Sequence, residues 1–178
     1  MGHSLKDRVL VTYATKYGAT GEIAGKIADV LRDQGLEIDM IPAGEVNDLS
    51  PYRAAVIGSA VYMGRWRKDA VKLLMNNEKE FSGIAVWLFS SGPTERGDPV
   101  KLTDGWVIPG KVRRVAERIS ARGIELLHGA IDLDNLNFIE KWIIKKVGAP
   151  AGDYRDWSAI ESWSVEIADQ VKEIQKEK

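Results

Sequence analysis

Four apolar runs alternate with amphipathic stretches along this chain, and their spacing predicts an architecture. The first run, Val9-Leu10-Val11-Thr12-Tyr13-Ala14, is rich in β-branched residues and stops abruptly. A short loop, Thr15-Lys16-Tyr17-Gly18-Ala19-Thr20, follows it. Ile23, Ile27, Val30 and Leu31 then fall on one face of a helix, with Ala24 and Ala28 beside them. Gly35 sits where that helix should stop. Residues 36–41 alternate apolar and polar, as an edge strand does, and Pro42 to Pro51 reads as loop with one short helical turn. The runs Ala54 to Val61 and Ile84 to Phe89 are continuous, fit for strands buried on both faces. Between them Val71, Leu74 and Met75 mark a helix from Lys68 to Asn76. Residues 92–107 show no periodicity, and loops of that length tend to be functional or disordered. Val112, Val115, Ala116 and Ile119 mark a helix ending before Gly123, and Ile124 to Ile131 reads as a fifth strand. A last helix starts at Trp157 with Asp156 as its cap, turning Ile160, Trp163, Ile167 and Val171 inward.

Strands and helices alternate throughout, which predicts an α/β fold: a parallel, doubly wound sheet of five strands with helices on both faces. No internal repeat is visible, and residues 1–178 read as one domain. In such sheets ligands bind outside the carboxyl ends of the strands. Three loops fall on that edge: Thr15–Thr20, Ser59–Trp66 and Ser90–Gly97. The first brings backbone N–H groups and the hydroxyls of Thr15 and Thr20 to a helix N-terminus, a place that favours an anion such as phosphate. An ordinary strand-to-helix turn with Thr20 as N-cap would need fewer residues and no cluster of hydroxyls. The loop is not a dinucleotide fingerprint, for G-x-G-x-x-G is absent, and the Gly-Lys-Ser/Thr ending of a Walker-type loop is absent too. The second loop, Ser59-Ala60-Val61-Tyr62-Met63-Gly64-Arg65-Trp66, offers Tyr62 or Trp66 for stacking on an aromatic ring system, with Arg65 as a positive charge. The third offers Ser90, Ser91, Gly92 and Pro93 to a polar ring edge.

Composition narrows the chemistry. With no cysteine there is no disulfide, thiolate metal site or redox thiol, so any redox work falls to a bound cofactor. A balance of 25 Lys and Arg against 26 Asp and Glu gives a formal net charge of -1, which argues against nucleic acid as a partner. No apolar run reaches membrane-spanning length and the first residues lack a signal peptide's apolar stretch, so a cytoplasmic location is expected. Met1-Gly2-His3-Ser4-Leu5 reads as a tail that is in part foreign to the natural chain, and nothing is built on His3. No His, Asp or Glu grouping has metal-ligand spacing, and His128 on an apolar strand reads as a satisfied core residue. A phosphoacceptor signalling domain would need acids at the strand ends, and Thr12-Tyr13-Ala14-Thr15 supplies none.

These three loops in this order resemble the flavodoxin family. The resemblance implies strand order 2-1-3-4-5 and FMN as cofactor, its phosphate held by Thr15, Lys16, Tyr17, Gly18, Ala19 and Thr20. The isoalloxazine ring would then lie between Ser59, Ala60, Val61, Tyr62, Met63 and Gly64 on one side and Ser90, Ser91, Gly92 and Pro93 on the other. Tyr17 stands where that family's loop usually carries a second hydroxyl residue, which makes Lys16 a helper for the phosphate. Tyr13 to Thr20, Ile57 to Gly64, Gly129-Ala130 and Asp156-Trp157 more closely resemble the menaquinone-dependent protoporphyrinogen oxidase branch. Residues 131–136 are acidic where that branch is basic and tyrosine-rich.

The segment 133–150 reads as an amphipathic insert before the last helix. As a helix, 138–147 presents Phe138, Ile139, Trp142, Ile143 and Val147 on one arc, with Lys141 and Lys145 at its side. It could face the core, or lie on the inner face of a membrane and give access to a quinone. Its Trp and Ile side chains, if exposed, would also suit a second copy of the chain. The preferred expectation is an FMN-dependent, quinone-linked oxidoreductase of the protoporphyrinogen oxidase type, acting in haem biosynthesis, with no general base that can be named. The alternative is a flavodoxin-type carrier serving a redox partner protein. Carriers of that family are usually strongly acidic, and the even charge balance together with the basic runs Arg65–Lys68 and Lys111–Arg114 lacks such a face.

Overall fold

The computed structural model describes residues 7–148 and 150–177. The expected tail, Met1 to Leu5, lies outside the described residues. Strand β1 (Arg8–Ala14) leads into helix α1 (Ala19–Asp33), followed by β2 (Ile38–Pro42) and a single 3-10 turn at Ala43–Glu45. A long β3 (Tyr52–Tyr62) folds back through the short β4 (Arg65–Trp66), and α2 (Lys68–Asn76), α3 (Glu78–Phe81) and β5 (Ala85–Ser91) follow. Then come α4 (Pro99–Leu102), α5 (Gly110–Arg118), β6 (Gly123–Leu127), β7 (Ala130–Ile131) and a second 3-10 turn at Leu133–Asn135. Helix α6 (Phe138–Val147), β8 (Gly152–Asp153) and α7 (Trp157–Lys176) complete the described chain.

Five strands pair in parallel in the order β2-β1-β3-β5-β6, which is 2-1-3-4-5 when only the parallel strands are counted. The fully apolar runs lie in its centre: Val9, Leu10, Val11, Ala54 to Ile57 and Val86 to Phe89 are essentially inaccessible to solvent. Alternate side chains feed two cores. Leu10, Ala55, Ile57, Val86 and Leu88 pack with residues of α2 and α5, whereas Val9, Val11, Val56, Trp87 and Phe89 pack with α1 and α7. Gly58 is required by this packing, because a Cβ there would stand 2.0 Å from the Phe89 ring, which meets Trp163 edge to face at 6.1 Å. Gly35 ends α1 as expected, at φ +86, and Leu36 N–H returns to the Leu31 carbonyl at 3.1 Å. The Asp156 carboxylate caps α7 by accepting from Ala159 N–H.

Two expectations are corrected. The run 124–131 is not one strand: β6 ends at Leu127, and β7 pairs antiparallel with β8 in a separate two-stranded ribbon. The chain leaves the main sheet at His128-Gly129, where Gly129 packs so tightly on the neighbouring loop that a Cβ would meet the Gly92 carbonyl oxygen at 2.9 Å. Within 92–107, Pro99–Leu102 forms a helical turn capped by the Asp98 side chain.

Candidate functional site

A cavity of about 600 Å³ opens at the carboxyl edge of the sheet, where α1 begins. Gly18, at φ +95, precedes α1, and no side chain caps the helix. The Thr15 hydroxyl does not reach the helix; it accepts from Gly18 N–H at 2.9 Å and so sets the turn. The first N–H groups of α1 therefore stay available beside the cavity, together with Thr20. Thr20 is only 1% exposed, and its hydroxyl has no hydrogen-bond partner among the described residues.

Thr15, Lys16, Tyr17, Ala19 and Thr20 line the cavity on this side, Ala60, Val61, Tyr62 and Met63 on a second, and Ser91, Gly92, Pro93 and Thr94 on a third. The three expected loops thus converge. Ser59 and Ser90 lie beneath them with their hydroxyls engaged. Ser59 Oγ accepts from Arg67 N–H at 2.8 Å and donates to the Ala60 carbonyl, while Ser90 Oγ accepts from the Trp66 indole at 2.8 Å. Trp66 is accordingly buried in the core rather than placed against the cavity, and of the two stacking candidates only Tyr62 lines it. Met63 and Gly64, at φ +51 and +70, form the two-residue turn between β3 and β4, with Met63 83% exposed.

The remaining wall was not among the expected site residues. Gly129, Ala130 and Ile131 line it, followed by Trp142, Ile143, Ile144, Lys146 and Val147 from α6. The small residue at 129 and the apolar arc of 138–147 were the available signals. Hydrogen bonds hold the 92–93 turn against this wall: Gly92 N–H donates to Leu127, Gly129 N–H to Pro93, and the His128 ring lies 2.8 Å from the Gly97 carbonyl and 3.2 Å from that of Pro93.

Helix α6 is fastened to the first loop by charge. A capping box joins Asn137 and Glu140 at its start, and Glu140 also pairs with Lys16 at 3.0 Å. Hydrogen bonding from Tyr17, from the Asn137 backbone and from Lys16 holds the Glu140 carboxyl down at about 2. Burial pulls the Lys16 ammonium downward, but its hydrogen bonds to Tyr17 and Glu140 outweigh this, leaving it raised. The Tyr17 phenol is raised chiefly by burial. Lys16 also sits 4.1 Å from the Tyr62 ring centre, so one cation links the first loop, the second loop and α6. Behind this loop, Arg155 donates to Glu22, to Asp153 and more distantly to the Ala19 carbonyl, which ties the β7-β8 ribbon to the first turn of α1.

A family model described as "Flavodoxin domain" matches residues 10–158. The chain belongs to the flavodoxin-domain family. Solved structures agree on the fold. A flavodoxin from the domain Archaea superposes with TM-score 0.63 at 12% identity, over 93% of this chain and 99% of that one. Streptococcus pneumoniae TIGR4 flavodoxin gives 0.56 at 21% identity, over 91% and 98%. The rubredoxin oxygen:oxidoreductase of Desulfovibrio gigas gives 0.63 at 11% identity, over 94% of this chain but only 36% of that one, so the chain spans about a third of that protein's length. No curated protein matches.

The cofactor of this flavodoxin-domain protein is FMN. The residues present fit it: an uncapped helix N-terminus, an αL glycine and an unpartnered Thr20 hydroxyl suit the phosphate, and Tyr62 with the apolar walls suits a flat ring. When bound, FMN supplies one- and two-electron redox chemistry. No helix among the described residues is long and apolar enough to cross a membrane.

Proposed function

We propose that this chain works as one FMN-binding unit that carries electrons to and from a redox partner protein. The observation behind this reading is the division of the cavity into an anion-holding end at α1 and apolar walls that close over the ring position. Residues 15–20 hold the phosphate, with Ala60 to Gly64 and Ser91 to Pro93 flanking the ring. Ser59 and Ser90 act beneath them by fixing β4 and Trp66. The titratable groups nearest the phosphate end, Lys16 and Tyr17, are both held in their protonated forms, which suits binding. The rim, where Met63 and Trp142 are exposed, is the contact through which a partner takes or delivers electrons. The full-length likeness to flavodoxins of similar size supports this reading over the enzyme expected from the sequence.

One feature favours a second reading, a quinone-linked oxidoreductase of the protoporphyrinogen oxidase type. Trp142, Ile143, Ile144 and Val147 give the cavity an apolar wall that a quinone could share, while Phe138 and Ile139 point to solvent beside Lys141 and Lys145. Such a helix suits the cytoplasmic surface of an anionic membrane.

The deciding experiment loads the protein with FMN and follows the flavin anaerobically. The carrier reading expects stoichiometric reduction by a ferredoxin reductase and reoxidation by a partner protein, with a shallow salt dependence because the net charge is small. Thr20→Val should weaken FMN binding by roughly tenfold or more, since it removes a hydrogen bond to a charged group. Porphyrin formed from protoporphyrinogen only when both FMN and a menaquinone analogue are present would replace this reading with the second. Failure to load flavin would sink both.

A further inference from the structure

A second cavity of about 600 Å³ lies beside the first, between the ends of β1 and β2, the 43–45 turn, β4 and the start of α2. Thr15 and Tyr62 line both, so Tyr62 is a shared wall. Arg65, Arg67 and Lys68 line the second cavity, and none of the three side chains has an ion pair or hydrogen bond among the described residues. Asp69 is the acid facing them. Four other basic residues pair with acids, Arg8 with Asp39, Lys26 with Glu161, Arg118 with Glu78 and Arg155 with Asp153, whereas these three gather at one concave surface without such a pair. Three positive charges facing a single carboxylate at one concave surface repel one another, an arrangement that stability alone does not favour. The uncapped N-terminus of α2 adds positive potential at the same place.

We propose that this second cavity binds a small organic anion, carboxylate- or phosphate-bearing, held by Arg65, Arg67 and Lys68 beside the cofactor cavity. Guanidinium forks match the paired oxygens of either group, and the volume is that of a small-molecule site rather than of a flat protein contact. An anion bound across Tyr62 opposes the addition of electrons to the cofactor, so it lowers the flavin's reduction potential. That last consequence rests on the FMN reading above; the binding itself does not.

The test is isothermal titration of FMN-loaded protein with pyrophosphate and, separately, with tricarballylate. The expected result is one site for at least one of them, with a dissociation constant of about 1 mM or tighter. Arg65→Gln/Arg67→Gln should weaken that binding by about tenfold or more. Lys111→Gln/Arg114→Gln, on α5 and away from the cavity, should leave it unchanged. The anion that binds identifies the site as phosphate- or carboxylate-directed. Binding of neither anion overturns the proposal. Equal weakening in both variants overturns it as well, because the effect would then be one of diffuse charge. So does release of flavin by the anion, which would place the anion at the first loop. Flavin absorbance is read before any anion is added; failure to load FMN counts against the cofactor reading alone, and the same titrations on the flavin-free protein then decide the anion site.

Discussion

The central sheet and helix α6 both border the cofactor cavity, yet they are held in place by opposite means. Residues of β1, β3 and β5 are fixed by burial on two faces, with Val9 to Val11, Ala54 to Ile57 and Leu88 and Phe89 at zero exposure. Helix α6 buries no residue; Phe138 is 87% exposed and Ile139 68%. What locates it is polar: the Asn137–Glu140 capping box, the Lys16–Glu140 pair and an αL glycine, Gly148, at its end. The floor of the site is therefore set by the hydrophobic effect and costs the whole fold to disturb. Its far wall is held by a few charged contacts and is therefore expected to open at lower free energy than the sheet.

The largest way to probe that difference is Phe89→Ala. It removes a fully buried ring that fills the space over Gly58 and packs on Trp163, and should cost about 3–5 kcal/mol in urea unfolding. A smaller and local effect is expected from acid. Glu140 is depressed from the ordinary 4.5 to about 2, so its contribution is complete above pH 4.5 and is lost as pH falls from there toward 2. Hydrogen exchange of residues 138–147 should quicken over that window, and Glu140→Gln should bring the same quickening at pH 7 without moving the global unfolding midpoint. If the midpoint moves with it, α6 is not an independent element. Smallest of all, Phe138→Ser/Ile139→Ser should alter unfolding stability by no more than about 0.5 kcal/mol. The same variant sharpens the functional question: loss of co-sedimentation with anionic vesicles would assign the exposed face to a membrane, and unchanged sedimentation would remove that role.

The same contrast explains what the sequence could convey. Strands buried on both faces are written as unbroken apolar runs, so 54–61 and 84–89 were plain, and their parallel order followed from alternation with helices. The first loop, proposed to hold the phosphate, was legible because a strand, hydroxyls, a glycine and a helix start are contiguous. What was not legible depended on pairs far apart in sequence. Apolar residues recur on both sides of His128-Gly129, and only the pairing of β7 with β8 shows that the strand ends between them. Tyr62 and Trp66 looked equivalent, but the turn at Met63 and Gly64 reverses the chain and sends Trp66 to Ser90 in the core. Ser59 and Ser90 are hydroxyls in the expected places whose partners, Arg67 N–H and the Trp66 indole, no local pattern reveals. The apolar arc of α6 was visible, though not that Trp142, Ile143 and Val147 would close the cavity.

The sheet order also sets a sequence of events during synthesis. Strand β1 pairs with β2 and β3, so every strand beside the first loop has left the ribosome once residue 62 has emerged. The third loop and β6 come later, and the wall built from 129–147 comes near the end. Since a domain folds as a unit and α1 shares its core with α7, the first loop gains its native support only when the chain is nearly complete. The walls of the cavity are thus made at different times but become usable together, when the last helix closes the core that α1 needs.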